Sequence, residues 1–316
     1  MRLGSLLALA AVVLCAGALG DATLRYSLTI GTVYAVAVLG NNAINGTLGE
    51  INLAAGAYMA VGAYTMAWGL NNGWSLLASL ALVILTAVVV GALIAVPTIR
   101  LTGIFTALAT FTLAFAIPDL AISLQSITGG EAGTGVPPVS VGGTLLDGSS
   151  QAMLITVCAL FVVLAIVNLL LFSRGTGATL LLVGEATPAA QVFGMHIRLA
   201  KITVWTWATV LGALAGAAYG LTVGFLNPTI FVVFLSISLL VAGLVGGARS
   251  VTGAWLGGLL VGTLPPNIQS LVPASSTGIV FGAVLLVALL AGHGGLGSVI
   301  DRCLGVLLVR VQRRRS

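Results

Sequence analysis

The side chains able to do chemistry are few and concentrated. Asn41, Asn42, Asn45, Thr47, Glu50 and Asn52 make the densest polar set, just before and inside a long apolar run. A carboxylate buried among apolar groups is costly unless it is paired or put to use. Glu50 and Asn52 are two residues apart, so they cannot share a face of a regular helix. A broken or re-entrant start at Gly46 and Gly49 would let both line a cavity. The plainer readings are hydrogen bonds between helices, or a helix end at an interface. Asp119, next to Pro118, is a second isolated carboxylate, placed either at a vestibule or at a solvated helix end. Asn168 and Asn227-Pro228 read as structural.

Other chemistries find no residues. Lys201 is the only lysine and follows no glycine-rich loop, so there is no nucleotide-binding P-loop. No GxSxG, HExxH or paired-carboxylate arrangement occurs, which leaves no basis for a hydrolytic enzyme. Cys15, Cys158 and Cys303 form an odd, widely spaced set and read as buried free thiols. His196 and His293 have no partners at metal-ligand spacing, so neither a metal site nor a cofactor is expected.

The elements that position these residues follow from composition. Of 316 residues, 59% are hydrophobic and 6% charged, against about 25% charged in a soluble domain. A chain so poor in charge cannot cover a water-facing surface, and a mean hydropathy of +1.18 excludes disorder. An all-α, polytopic transmembrane helix bundle remains. Glycine, at 42 residues, suggests close helix packing, with Gly212, Gly216 and Gly220 as a small-xxx-small seam.

Ten spans of roughly twenty apolar residues are expected. They fall at about 3–20, 24–40, 48–70, 75–96, 103–124, 151–172, 201–222, 230–247, 251–270 and 278–292 in a single domain over 1–316. The third and eighth are interrupted by Gly or Asn and open to being re-entrant or broken. The first also resembles a signal peptide. Ten spans with a cytoplasmic N-terminus put Arg2, Arg100, Arg174, Arg198, Lys201, Arg249, Arg302, Arg310 and Arg313 to Arg315 inside. That is every basic residue except Arg25, as the positive-inside rule predicts, with both termini cytoplasmic. The aromatics Trp68, Trp74, Trp205 and Trp207 then fall near the interfaces.

Two loops are long enough for structure of their own, an outer one at about 125–150 and an inner one at about 173–200. In the inner loop Thr187 reads as an N-cap, Pro188 as the first helical turn and Gly194 as the stop. The result is a short surface helix, suited either to a groove on a partner or to a plain connection. The tail, 298–316, reads as a basic helix on the cytoplasmic interface held by anionic lipid, with no role in nucleic-acid binding.

Several of these stretches resemble the membrane permeases of the branched-chain amino acid ABC importer family. One is Gly46-Thr-Leu-Gly-Glu-Ile-Asn-Leu-Ala-Ala-Gly-Ala-Tyr-Met-Ala-Val-Gly-Ala-Tyr64. Another is Arg100-Leu-Thr-Gly-Ile-Phe-Thr-Ala-Leu-Ala-Thr110, followed by the Thr128-Gly-Gly loop. A third runs from Gly220 to Leu260, with Pro228, Ser236, Gly246-Gly247 and Gly253. The likeness covers about 25–298, with the motifs in family order.

The resemblance implies an inner-membrane permease subunit that catalyses no reaction itself. It would pair with a second, related permease and be driven by two cytoplasmic ATP-binding subunits. An extracytoplasmic solute-binding protein would deliver solute. The family's coupling helix corresponds here to Glu185, Thr187, Pro188, Ala190, Phe193 and Gly194, and the candidate solute route to Glu50, Asn52, Asn45 and Asp119. The chain departs from the family in three places. Gly184-Glu185-Ala186-Thr187 stands where relatives carry a more acidic run. Ala55 stands where many have His. Glu50-Ile51-Asn52 looks like the partner-permease type. Branched-chain amino acids, urea, short amides and other small polar solutes all stay open. The alternative class is a stand-alone channel or ion-coupled secondary transporter using Glu50 or Asp119, and a third is a purely structural membrane subunit.

Overall fold

A computed structural model of the chain describes residues 2–101, 103–141, 143–172 and 174–269, with scattered positions between 278 and 287. Most of the expected tenth span and the whole 298–316 tail, with His293 and Cys303, lie outside the described residues. The chain is an all-helical bundle. Its elements are α1 (Arg2–Leu19), α2 (Ala22–Leu48), α3 (Ala55–Asn71), α4 (Leu76–Thr98), α5 (Ile104–Ser123) and the single turn α6 (Gln125–Thr128). There follow α7 (Gln151–Leu171), α8 (Arg174–Glu185), α9 (Thr187–Val192), α10 (Ile197–Val223), α11 (Val233–Gly246) and α12 (Val251–Gln269).

Each expected segment up to 251–270 coincides with a helix. Among the described residues, however, only α2, α4, α5, α7 and α10 are both long and apolar enough to cross a bilayer. Shorter apolar helices are Gly4–Leu19, Val233–Gly246 and Val251–Pro265. At 1.5 Å per residue, α2 and α10 run about 40 Å each, whereas α3 and α11 reach only about 25 and 21 Å, short of a ~30 Å hydrocarbon core. Both short helices are the segments whose Gly and Asn content suggested a break.

The two long helices are central. α2 packs against α10, α12, α7 and α11, and α10 also packs against α3 and α4. Both are buried over most of their length, while α4, α5 and α7 expose most of theirs. The exposed helices are the more apolar ones, as expected where the outward neighbour is lipid and the inward neighbour is protein. α1 packs against α7 and α2, placing Leu6, Ala10 and Val13 in the main core. Cys158 is buried, whereas Cys15 is exposed, contrary to the expectation of a buried thiol.

Glycine sets how close the helices come. A Cβ on Gly216 would collide with the Met59 carbonyl of α3, and one on Gly62 with the Ala213 carbonyl of α10. The expected seam is therefore the α3–α10 contact. Gly220 is looser, its nearest neighbours being Val136 and Leu226 side-chain carbons at 3.6 and 3.7 Å. On the far side of α2, Gly258 of α12 meets the Ala35 backbone in the same way.

The 124–150 loop closes one end of the bundle. Its strand β1 (Thr134–Gly135) pairs antiparallel with β4 (Phe225–Leu226), just past α10, and β2 (Ser140–Val141) pairs with β3 (Thr144–Leu145). The next helix starts cleanly, with the Ser150 hydroxyl accepting from the Met153 N–H at 3.1 Å. The opposite end carries α8 and α9.

The seam yields a paired test. Gly216→Ala forces α3 and α10 apart and is expected to cost about 1–3 kcal/mol, as overpacking does. Gly220→Ala meets only ordinary contacts and should leave thermal unfolding of the purified protein within about 0.5 kcal/mol of wild type. Equal unfolding midpoints for the two variants would contradict the close approach.

Candidate functional site

α2 ends at Gly49, which is left-handed at φ +65°, and the chain stays unwound until α3 starts at Ala55. Glu50 lies on this unwound stretch, buried, with both carboxylate oxygens engaged. Lys201 Nζ sits 2.5 Å from Oε1 and the Trp205 indole N–H donates to Oε2 at 3.0 Å. Lys201 and Trp205 are four apart on α10 and so share one face. The ammonium also lies 3.4 Å from the carbonyls of Thr98 and Leu101. The Thr98 carbonyl is the last of α4 and Leu101 lies three residues beyond it, at a helix end where a cation is favoured. One buried cation thus ties the α2–α3 connection, the start of α10 and the end of α4. Trp205, expected near an interface, is wholly buried, because its indole is needed at Glu50.

From Glu50 the unwound segment climbs toward the middle of the bundle. Tyr58, one turn into α3, packs on Gly212 near the centre of α10, about 16 Å along that helix from Lys201. The Asn52 amide oxygen accepts from the Ala54 N–H at 3.0 Å and the Tyr58 hydroxyl at 3.3 Å, steadying the first turn of α3. The Leu53 N–H donates to Thr110 Oγ1 at 3.0 Å.

A second interrupted helix approaches from the opposite end. After Pro228–Phe231, a single 3-10 turn, extended Val232 breaks the chain before α11. The first turns of the two short helices touch: the Gly56 N–H donates to Ser236 Oγ at 2.9 Å. Two helix N-termini therefore meet inside the bundle, the arrangement found where irregular backbone lines a route through a membrane protein.

Unpaired buried polar atoms occur on the C-terminal half of α2, on the unwound segment and on α5. Asn41 and Asn45, four apart on one face of α2, have neither amide atom hydrogen-bonded; the same holds for Asn52 Nδ2 and Thr106 Oγ1. Buried amides left unpaired are uncommon and costly in a structural core. Asn42, by contrast, donates to the Gly247 carbonyl at 3.4 Å. Toward the loop end Tyr34, Tyr219, Phe231 and Tyr64 form a chain of rings with centroids 5.8–6.1 Å apart. Asp119 is exposed near the 124–150 end of α5 and is not brought together with Glu50, Asn45 or Asn52.

A family model described as the permease component of branched-chain amino acid transport systems matches residues 23–289. The chain belongs to this family. It is a multi-pass transmembrane transport permease, one component of a larger system. No curated protein and no solved structure matches it.

In this permease the remaining expected site residues lie at the α8–α9 end. α9 starts at Thr187 with Ala186 at the cap position, so Thr187 is the first helical residue and not the N-cap. Pro188 lies in the first turn and Gly194, at φ +70°, ends the helix as expected. Ala190 is buried against the cluster of Ile44, Leu48, Val183 and Trp205, whereas Val192 and Phe193 are 86% and 73% exposed. Glu185 closes α8 and pairs with Arg249 at 2.6 Å. A cleft of about 880 Å³ opens beside this pair, among α2, α7, α8 and the turn at 248–251, with Asn42, Gly46, Thr47, Asn168 and Arg249 on its walls. Asn168 accepts from the Trp207 indole at 2.9 Å, the structural role expected of it.

The residues missed at the sequence level are the partners Lys201, Trp205 and Arg249. Lys201 did carry a signal, as the sole lysine and one placed in an apolar segment; such a charge needs a carboxylate.

Lys201→Met would strand a buried carboxylate and is expected to cost about 3–5 kcal/mol of stability. The double variant Glu50→Met/Lys201→Met should regain at least half of that, since replacing both partners by apolar groups is often near neutral. Denaturation of the four proteins of this cycle in detergent checks it. A double variant no more stable than the single one would refute a paired role.

Proposed function

We propose that the chain is the membrane subunit of an ATP-driven importer for branched-chain amino acids or related small polar solutes, in the inner membrane. It would work with a second, related permease, two cytoplasmic ATP-binding subunits and an extracytoplasmic solute-binding protein. The carrying observation is α9: a short helix anchored by Ala190 that holds Val192 and Phe193 out from the protein. Exposed apolar side chains on a short surface helix suit a groove on a partner. In this reading Glu185, Thr187, Pro188, Ala190, Phe193 and Gly194 form the docking element. The α8–α9 end, both termini and the basic tail face the cytoplasm, where the tail contacts lipid.

The solute route runs where the unwound segments meet. Asn45 and Asn52, with Asn41 beside them, offer amide donors and acceptors that a polar solute replaces one after another. Asp119 faces solute arriving at the opposite end. Glu50 borders the route, and its bonds to Lys201 and Trp205 suit it to hold the backbone in place. ATP binding would close the ATP-binding pair, displace the two docking helices and turn the route from outward- to inward-facing. The permease itself hydrolyses nothing and holds no cofactor.

Replacing residues 187–194 with a Gly/Ser linker is expected to abolish co-purification with an ATP-binding subunit while the chain stays in the membrane. Retained co-purification would end the docking assignment. Asn45→Leu, at equal membrane abundance, should cut solute uptake at least five-fold, and normal uptake would remove Asn45 from the route.

A further inference from the structure

We infer that Arg249 and Lys201 are positioning residues that grip the last turn of α2 and Glu50 just beyond it from the two flanks of α9, and pass its movement to the unwound segment 49–54. The inference rests on the reading of α9 as the docking helix.

The contacts converge on four residues, Gly46, Thr47, Leu48 and Glu50. Before α9, Glu185 binds Arg249 at 2.6 Å, and Arg249 Nε donates to the Gly46 carbonyl at 3.0 Å. On the same side the backbone of Gly184 lies so close to Thr47 and Leu48 that a Cβ there would overlap them. After α9, α10 begins at Ile197, and Lys201 in its second turn holds Glu50. Residues 46–48 and Glu50 are therefore held from both sides of one short surface helix.

The two grips differ physically. The Glu185–Arg249 pair is exposed, with side chains 65% and 63% accessible, so it contributes little stability. Its guanidinium nevertheless joins two elements in a fixed fork, which a lysine cannot imitate. The Glu50–Lys201 pair is buried and cannot part without stranding a charge. Between these grips and the first turn of α3 the backbone has no helical ladder to absorb a displacement. A shift of α9 thus reaches the α3 N-terminus and Asn52, whose amide nitrogen is unpaired. The cleft beside Arg249 leaves α8 room to move.

Two measurements test this. In the purified full-length chain, amide hydrogen exchange over 49–54 should speed up at least five-fold in Lys201→Met and in Arg249→Ala, with the middle of α10 unchanged in Arg249→Ala. Arg249→Lys should behave like Arg249→Ala, and Lys201→Arg should stay within two-fold of wild type. Unchanged exchange at 49–54 in Arg249→Ala, whose exposed pair is dispensable for folding, would overturn the grip. In liposomes holding the full complex, Arg249→Ala should keep ATP hydrolysis within two-fold while solute moved per ATP falls at least five-fold. An unchanged ratio would overturn transmission. A wild-type chain that binds no ATP-binding subunit overturns the docking reading and transmission with it, while the exchange rates still report the grip.

Discussion

The contact between Glu50, Lys201 and Trp205 is the constraint from which the rest of the architecture can be read. Residues 49–54 leave the helical ladder and still bury Glu50, Asn52 and Ala54 in a chain that is 59% hydrophobic. Backbone in that state is tolerated only where protein satisfies its polar groups. The buried ammonium supplies the fixed point: it neutralises the one carboxylate on the unwound stretch and reaches the carbonyls of Thr98, at the end of α4, and Leu101 just past it. Without such an anchor the stretch would have little reason to stay unwound at this depth, since its residues could continue α2 or join α3. The pair adds little net stability. It specifies which of several compact arrangements the chain adopts.

Packing around that point depends on small residues because lipid gives helices no hydrophobic reason to associate with one another. Gly62 and Gly216 let α3 and α10 approach to backbone contact, and Gly258 does the same for α12 on α2. α2 and α10 can then be less apolar than their neighbours, and α2 can carry the amides, because other helices rather than lipid surround them. The polar interior and the glycine seams are thus two aspects of one arrangement: close packing keeps lipid away from side chains that could not face it.

Much of this was readable in the sequence. Near-continuous apolar runs could only be helices in a bilayer, and interrupting Gly and Asn residues marked the third and eighth segments as open to a break. The stop at Gly194 and the short helix before it followed from turn chemistry. The carboxylate was singled out by its rarity and its apolar surroundings. Its partner was not, because Lys201 lies 151 positions away and served equally well as a topological charge. Arg249 was hidden in the same way, as one more basic residue on the expected cytoplasmic side.

By itself the sequence determined class, order and approximate length of the helices, since hydropathy and local turn propensity act over a few residues. It also isolated the handful of polar groups among which any site must lie. Only the tertiary structure decided how they are used: Glu50 in an ion pair, Asn42 on a backbone carbonyl, Asn41 and Asn45 left unpaired, and two helix starts meeting through Gly56 and Ser236. A side chain's electrostatic partner is set by which helices come within about 3 Å of one another. That depends on glycine contacts summed over the whole bundle, and no local pattern encodes it.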